Sequence, residues 1–238
     1  MSENQRTLGL EDTFHFSCNL GIDCFTRCCE NVNILLTPYD IIQMKNRLGI
    51  SATEFLEKYT RRLLAPKTFF PAVQFKMNEE NKKRCYFVGA NGCGIYEQRP
   101  WSCRMYPLDH SAEAGIFEPM VDSTRCLGLQ DKAAWQLRDW FRDQGLEPYT
   151  DWNHRFAELT QDEQVMNWRK GHPGGVDIFY LACYDVDGFR EVVFKEKLFE
   201  MLEQPPVDRD TLQTDDLALL EFAFTWLRTV AERGVANL

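Results

Sequence analysis

Apolar positions along this chain fall at helical spacing in its early and late parts and alternate in between. Ile41, Ile42, Met44 and Leu48 make one side of a helix that Thr37-Pro38 opens, with Thr as N-cap and Pro at the first helical position. Gly49 ends it. Ser51-Ala-Thr-Glu54 is a capping box for a second helix carrying Phe55, Leu56, Tyr59, Leu63 and Leu64 as far as Pro66. Val73, Phe75 and Met77 then alternate with polar residues, Asn78 to Lys83 reads as a turn, and Arg84 to Val88 as the return strand. From 131 onward the pattern is helical. Trp135, Leu137, Trp140 and Phe141 line one helix, and Thr150 caps another containing Trp152, Phe156, Leu159 and Trp168. Two or three helices follow Gly171-His-Pro-Gly-Gly175, the last from about Asp215 to Ala231 through Leu217, Leu220, Phe224 and Leu227.

These elements predict an α+β protein, mainly helical. Residues 1–13 read as a polar tail and 14–130 as an irregular, cysteine-rich domain with a small antiparallel hairpin. Residues 131–238 read as a helical C-terminal region packed on that domain.

Composition narrows the function. At 238 residues and 44% apolar, the chain can build a core without disulfide staples. A net charge of −9 argues against nucleic acid as a partner, and the short basic run Lys82-Lys83-Arg84 reads as a solvated loop. The first twelve residues lack the apolar stretch of a signal peptide, and no segment approaches the roughly 18 apolar residues of a membrane span. The expectation is a cytoplasmic protein, off the membrane, whose thiols stay reduced.

Candidate chemistry is concentrated in the cysteines. Cys18-x5-Cys24-x3-Cys28-Cys29 is followed by Cys85, Cys93, Cys103 and Cys126, and then by Cys183 alone, on an apolar helix where a buried core thiol is the simplest reading. Thiols this dense pair as disulfides, bind soft metals or carry redox chemistry, and a reducing compartment disfavours the first. Eight cysteines allow two four-thiolate sites, or one such site with four thiols in other roles. Thiolates sharing a tetrahedral centre would bring their sulfurs within about 4 Å of one another. Cys24-x3-Cys28 has the spacing of a zinc knuckle, whereas the other gaps match neither a zinc finger nor a ferredoxin run. In extended backbone Cys28 and Cys29 would face opposite sides and serve different centres, the alternative being that Cys29 packs as a small apolar residue. Asn91-Gly-Cys93-Gly94 is a tight turn whose glycines let N–H groups face the sulfur.

Arg27, Arg84, Arg99, Arg104 and Arg125 each lie within four positions of a cysteine, although surface pairing with acidic residues would explain them as well. Arg104 is expected to neutralise a thiolate centre, and Arg99 with Pro100 to fix the loop bearing Cys103. His15 and His110 are the histidines of this region that could replace a thiolate, though an isolated histidine is more often structural. Asp185-x-Asp187-Gly188 lacks the later acidic ligand of a calcium loop and reads as a helix cap or turn. No phosphate-binding glycine loop is present.

Phe16-x-Cys18, Cys24-x3-Cys28-Cys29, Cys85, the run Cys93-Gly-Ile-Tyr-Glu-Gln-Arg-Pro-Trp-Ser-Cys103-Arg-Met-Tyr-Pro107, and Cys126 together resemble the YkgJ-like cysteine-cluster family, a zinc- or iron-chelating domain named for its CxxCxxCC-type signature. The resemblance covers about residues 14 to 130, with wider spacing in the first cluster than the name implies. Tyr184-Asp-Val-Asp-Gly-Phe-Arg190 and Asp215-Asp-Leu-Ala-Leu-Leu220 look like extensions seen in some members. The resemblance implies a metal centre on Cys18, Cys24, Cys28, Cys29, Cys85, Cys93, Cys103 and Cys126. The domain is also similar to the cysteine-rich part of flagellin lysine N-methylase, for which an iron–sulfur cluster has been proposed, although no separate catalytic segment is matched here. The function expected is an iron–sulfur (4Fe–4S) or zinc protein acting in redox, sensing or metal handling, open to a protein partner. A zinc-scaffolded interaction protein and a cluster-dependent protein-modifying enzyme are the alternatives. Thiolates from four separate stretches, flanked by glycines and arginines, favour iron–sulfur over zinc.

Overall fold

A computed structural model describes residues 7–66, 68–203 and 205–234 of the chain. Ten α-helices and five small antiparallel sheets among these residues make the protein α+β and mainly helical. None of the helices is long and apolar enough to cross a membrane.

The chain divides into two compact units. One joins Met1–Asn33 to Met77–Thr150, and the other joins Ile34–Lys76 to Asp151–Leu238. A boundary near 130 was the expectation from composition, but Leu137 and Trp140 are buried in the cysteine-rich unit with Phe14 and Phe16. The Trp140 ring meets Phe14 edge-on at 5.2 Å and Phe16 at 6.0 Å, so this segment belongs there. The division falls instead inside the helix Glu147–Gln161.

In the cysteine-rich unit, strand Thr13–His15 pairs with Ala134–Gln136, and Leu108–His110 pairs with Phe117–Pro119. Residues 1–6 of the expected tail lie outside the described residues. The remainder is not a tail, because Leu8 is buried and exchanges backbone bonds of 2.8 and 2.9 Å with Phe117. Trp135 sits on a strand rather than on the helix Leu137–Asp143, and Thr150 caps nothing. Its hydroxyl accepts from the Trp101 indole at 3.3 Å.

In the helical unit the first helix, Pro38–Leu48, starts and stops as its sequence dictates. The Thr37 hydroxyl accepts from the Asp40 N–H, the Asp40 carboxylate accepts from the Thr37 N–H, and Gly49 closes the helix at φ 66°. The second helix begins at Ser51 as expected but spans only Ala52–Tyr59. Thr60–Leu64 continues as a strand antiparallel to Pro71–Phe75, and Leu35–Leu36 pairs with the other edge of that strand. The alternating strand therefore lies at 71–75, with partners that precede it. Met77–Asn78 does pair with Arg84–Cys85, as a separate two-residue ladder in the cysteine-rich unit. Trp168 lies on its own helix, Glu163–Gly171, capped by Asp162. Helices Gly175–Tyr184, Val186–Lys195 and Asp216–Arg233 bury Phe179, Phe189, Leu220, Phe222 and Trp226, and Cys183 is a fully buried core thiol.

The two polar motifs of the tail have a structural task. Asp185 caps a helix by accepting from the Gly188 N–H. Lys45, almost fully buried, pairs with Asp187 at 3.1 Å and Asp216 at 2.8 Å. Arg190 joins the same two carboxylates at 2.8 and 2.5 Å.

Candidate metal centre

Backbone pairing brings the cysteine segments together. The Ser17 N–H donates to the Gly128 carbonyl at 3.2 Å, laying the Cys126 turn beside Cys18. Glu30 and Arg84 form a backbone bridge and a 3.2 Å ion pair, which sets Cys28 and Cys29 beside Cys85. A two-residue ladder, Val88–Gly89 with Gly92–Cys93, then turns the chain back so that Cys93 follows Cys85 into the same region. Gly92 holds φ 105°, and a Cβ there would stand 3.1 Å from the Phe25 ring, so the Cys24 and Cys93 loops adjoin. Cys103 rides on the short helix Trp101–Met105.

All nine cysteines are free thiols. Eight of them act on one another electrostatically. Burial, and then Cys28, Cys126 and Cys24, push Cys18 up to about 11. Arg27–Cys29 is a 3₁₀ turn rather than extended backbone, so the Cys28 and Cys29 sulfurs do not face apart. The Cys29 thiol donates to Cys28, which lowers Cys28 and raises Cys29 far above the usual thiol range. Cys29 in turn feels Cys103 and Cys85, and Cys85 feels Cys93. Cys93 also feels Cys28, so the vicinal pair is linked to both the Cys18, Cys24 and Cys126 group and the Cys85, Cys93 and Cys103 group.

Burial raises the Cys85, Cys93 and Cys126 thiols, and the backbone N–H groups near each sulfur, those of Phe87 and Val88, of Ile95, and of Gly128 and Leu129, oppose it because they favour the thiolate. The Gly94 N–H, expected to face the sulfur, donates instead to the Phe87 carbonyl at 2.8 Å. A residue the sequence reading passed over is Tyr106, three residues beyond Cys103, which packs against the core cluster that includes Cys126. Burial, then Cys126 and Cys28, raise that phenol well above its usual range.

The two arginines exchange their expected roles. Arg104, buried over the Tyr149 ring, donates to the carbonyls of Arg99 at 3.0 Å, Gln144 at 2.5 Å and Glu97, and to the Tyr149 hydroxyl at 3.1 Å. It clamps the Glu97–Arg99 turn to the segment around Gln144. Arg99 lies over the Tyr96 ring, bonds Tyr96 and Gln144, and is the charge that acts on Cys93 and Cys103. His110 stacks between Trp101 and Phe117, a packing role, and His15 is exposed on its strand.

Soft, free and mutually coupled thiols fit a thiolate-bound zinc or iron centre in their chemistry. Their spacing is looser than the 4 Å grouping expected of them. Among the described residues, no three His, Cys, Asp or Glu side chains gather closely enough to hold one ion.

Residues 17–127 match the CxxCxxCC family model, described as a "putative zinc- or iron-chelating domain". The matched segment, just under half of the chain, contains all eight of the coupled cysteines. No curated protein and no solved structure matches the chain.

Proposed function

We propose that this chain is a cytoplasmic iron–sulfur protein, its cluster bound by Cys18, Cys24, Cys28, Cys29, Cys85, Cys93, Cys103 and Cys126 and used in redox, sensing or metal handling. The observation that carries the reading is the eight free thiols within the segment that matches a zinc- or iron-chelating family model. Thiolates are the ligands of iron–sulfur clusters, and their softness suits iron in that form. Arg99 adds a positive charge beside Cys93 and Cys103, in a protein whose net charge is −9. A bound cluster would supply one-electron chemistry; the chain supplies ligands, charge compensation and partial exclusion of water.

We further propose two four-thiolate sets that meet at the vicinal pair, Cys28 with Cys18, Cys24 and Cys126, and Cys29 with Cys85, Cys93 and Cys103, with a link from Cys28 to Cys93 joining them. Protein purified without oxygen should be brown, absorb visible light through sulfur-to-iron charge transfer, and contain iron and acid-labile sulfide. A colourless preparation with stoichiometric zinc and no sulfide would replace this reading with a zinc scaffold that supports protein contacts.

A further inference from the structure

We infer that Arg84 is a positioning residue of the metal centre: its guanidinium grips both flanks of the Cys28–Cys29 turn and fixes that turn against the next residue along the chain, Cys85. The inference rests on the metal-centre reading above but not on which metal is bound.

The turn does not hold itself. Arg27–Cys29 is a single turn of 3₁₀ helix with no buried residue, closed by the Cys29 N–H on the Thr26 carbonyl at 2.9 Å. The chain enters it through Thr26 at φ 65° and ψ 0°. A β-branched residue rarely adopts this left-handed conformation, which persists only where its surroundings enforce it. The Thr26 side chain makes no capping bond to the turn. Its hydroxyl accepts instead from the Arg84 guanidinium, at 2.9 Å from Nη2.

At the other flank Glu30 leaves the turn in extended conformation, and Arg84 meets it twice, through the backbone bridge and through the 3.2 Å ion pair from Nε. The Asn31 N–H then donates to the Lys83 carbonyl at 2.8 Å. An ion pair whose side chains are 29% and 41% exposed holds little by itself. It counts here because the same planar group that reaches Glu30 also reaches Thr26, so one rigid fork spans the turn. Cys28 and Cys29 lie between its two anchors, and Cys85 follows it directly. The two cysteine stretches therefore stand in a fixed relation before any metal arrives. The Arg84 charge is answered by the Glu30 carboxylate, which makes placement rather than charge its contribution.

The test compares the full chain, isolated anaerobically, with Arg84→Gln, Arg84→Lys, Glu30→Gln and Thr26→Val. A chelator should take the metal about ten- to a hundred-fold faster from Arg84→Gln, the usual cost of losing support behind a metal ligand. Glu30→Gln and Thr26→Val should each speed release by less. Arg84→Lys keeps the charge but cannot span both flanks, so it should resemble Arg84→Gln. Adding Glu30→Gln to Arg84→Gln should cost nothing further, because the two changes break one contact. Metal-free Arg84→Gln should also lose hydrogen-exchange protection at the Asn31 N–H. A role through charge predicts the reverse, with Arg84→Lys behaving as wild type and Glu30→Gln holding metal more tightly, and either result would overturn the inference. Equal release from wild type and Arg84→Gln would overturn it too while leaving the metal reading intact. Should the Arg84 variants fail to fold, Thr26→Val decides alone: faster release supports the role and unaltered release overturns it. A wild-type chain that holds neither iron nor zinc would overturn the metal reading and the role with it, whatever exchange at Asn31 shows.

Discussion

The carbonyl of Ser17 lies against Gly128 so closely that a Cβ at Gly128 would collide with it, and would stand 2.9 Å from the Phe16 ring. A side chain at this point would pry the Cys126 turn away from the strand that leads to Cys18. Gly128→Ala should cost about 1–3 kcal/mol, the usual penalty for overpacking a tight contact. It should also lower metal content. Chemical denaturation and metal analysis on the same preparation check both. A stable, fully loaded variant would show that the turn is free to move.

Cys126 and Cys183 are both buried, yet they should respond in opposite ways to substitution. Cys126→Ser should remove metal from one set and leave the signal of the other, reducing bound metal by about half if the two sets load separately. Cys183→Ala should leave metal untouched and cost only about 1–2 kcal/mol for a small cavity. Metal-to-protein ratios of the two variants, beside an unfolding curve for the second, decide this.

Arg99 and Arg104 separate charge from clamping. Arg104→Ala would strand the buried carbonyls that the guanidinium now satisfies, and should destabilise the cysteine-rich unit by at least about 2 kcal/mol. Arg99→Gln keeps a donor near Gln144 and removes the charge, so it should unfold almost as the wild type does while making the metal easier to extract. Thermal melts and competition with a chelator would reveal equal effects if the two side chains did the same job.

The ion network of the helical unit gives a prediction in pH. Burial would raise Asp216, but the bonds from Lys45 and Arg190 prevail and hold its carboxyl below the usual range. A lowered carboxyl contributes stability that is complete above the unfolded value of about 3.9 and disappears as pH falls through the folded value. Asp216→Asn should therefore destabilise the protein by about 2–3 kcal/mol at pH 7, because it leaves two cations sharing Asp187. The gap between variant and wild type should close in acid. Urea midpoints at pH 7 and at about pH 3 test the sign.

Local chemistry was the legible part of this sequence. Thr37, Asp40 and Gly49 act within one helix, so reading neighbours was enough to place its ends. Tyr59 and Leu63 have helical spacing, which extended the second helix too far. What overrides them is pairing with the strand Pro71–Phe75, from Leu64 with Pro71 at the near end to Thr60 with Phe75 at the far end, which helical spacing does not announce. Trp140 reads as one more aromatic in a helical region. Only the fold shows that its partners are Phe14 and Phe16, from the other end of the unit. At the site, the cysteines were visible as residues, but the backbone pairings that bring their segments together, Ser17 with Gly128 and Glu30 with Arg84, were not. The arginine roles were reversed for a related reason. Adjacency to Cys103 favoured Arg104, while contact through the fold favours Arg99.

Each unit interrupts the other in the order of synthesis, since residues 34–76 separate the two pieces of the cysteine-rich unit and residues 77–150 separate those of its neighbour. As the chain leaves the ribosome, Cys18 to Cys29 emerge long before Cys85 to Cys126, so the eight cysteines of the proposed centre are all present only once residue 126 has been made. No cut that keeps a single continuous stretch isolates either unit whole, so a fragment trimmed to the family match would forfeit the Trp140 helix that closes its core.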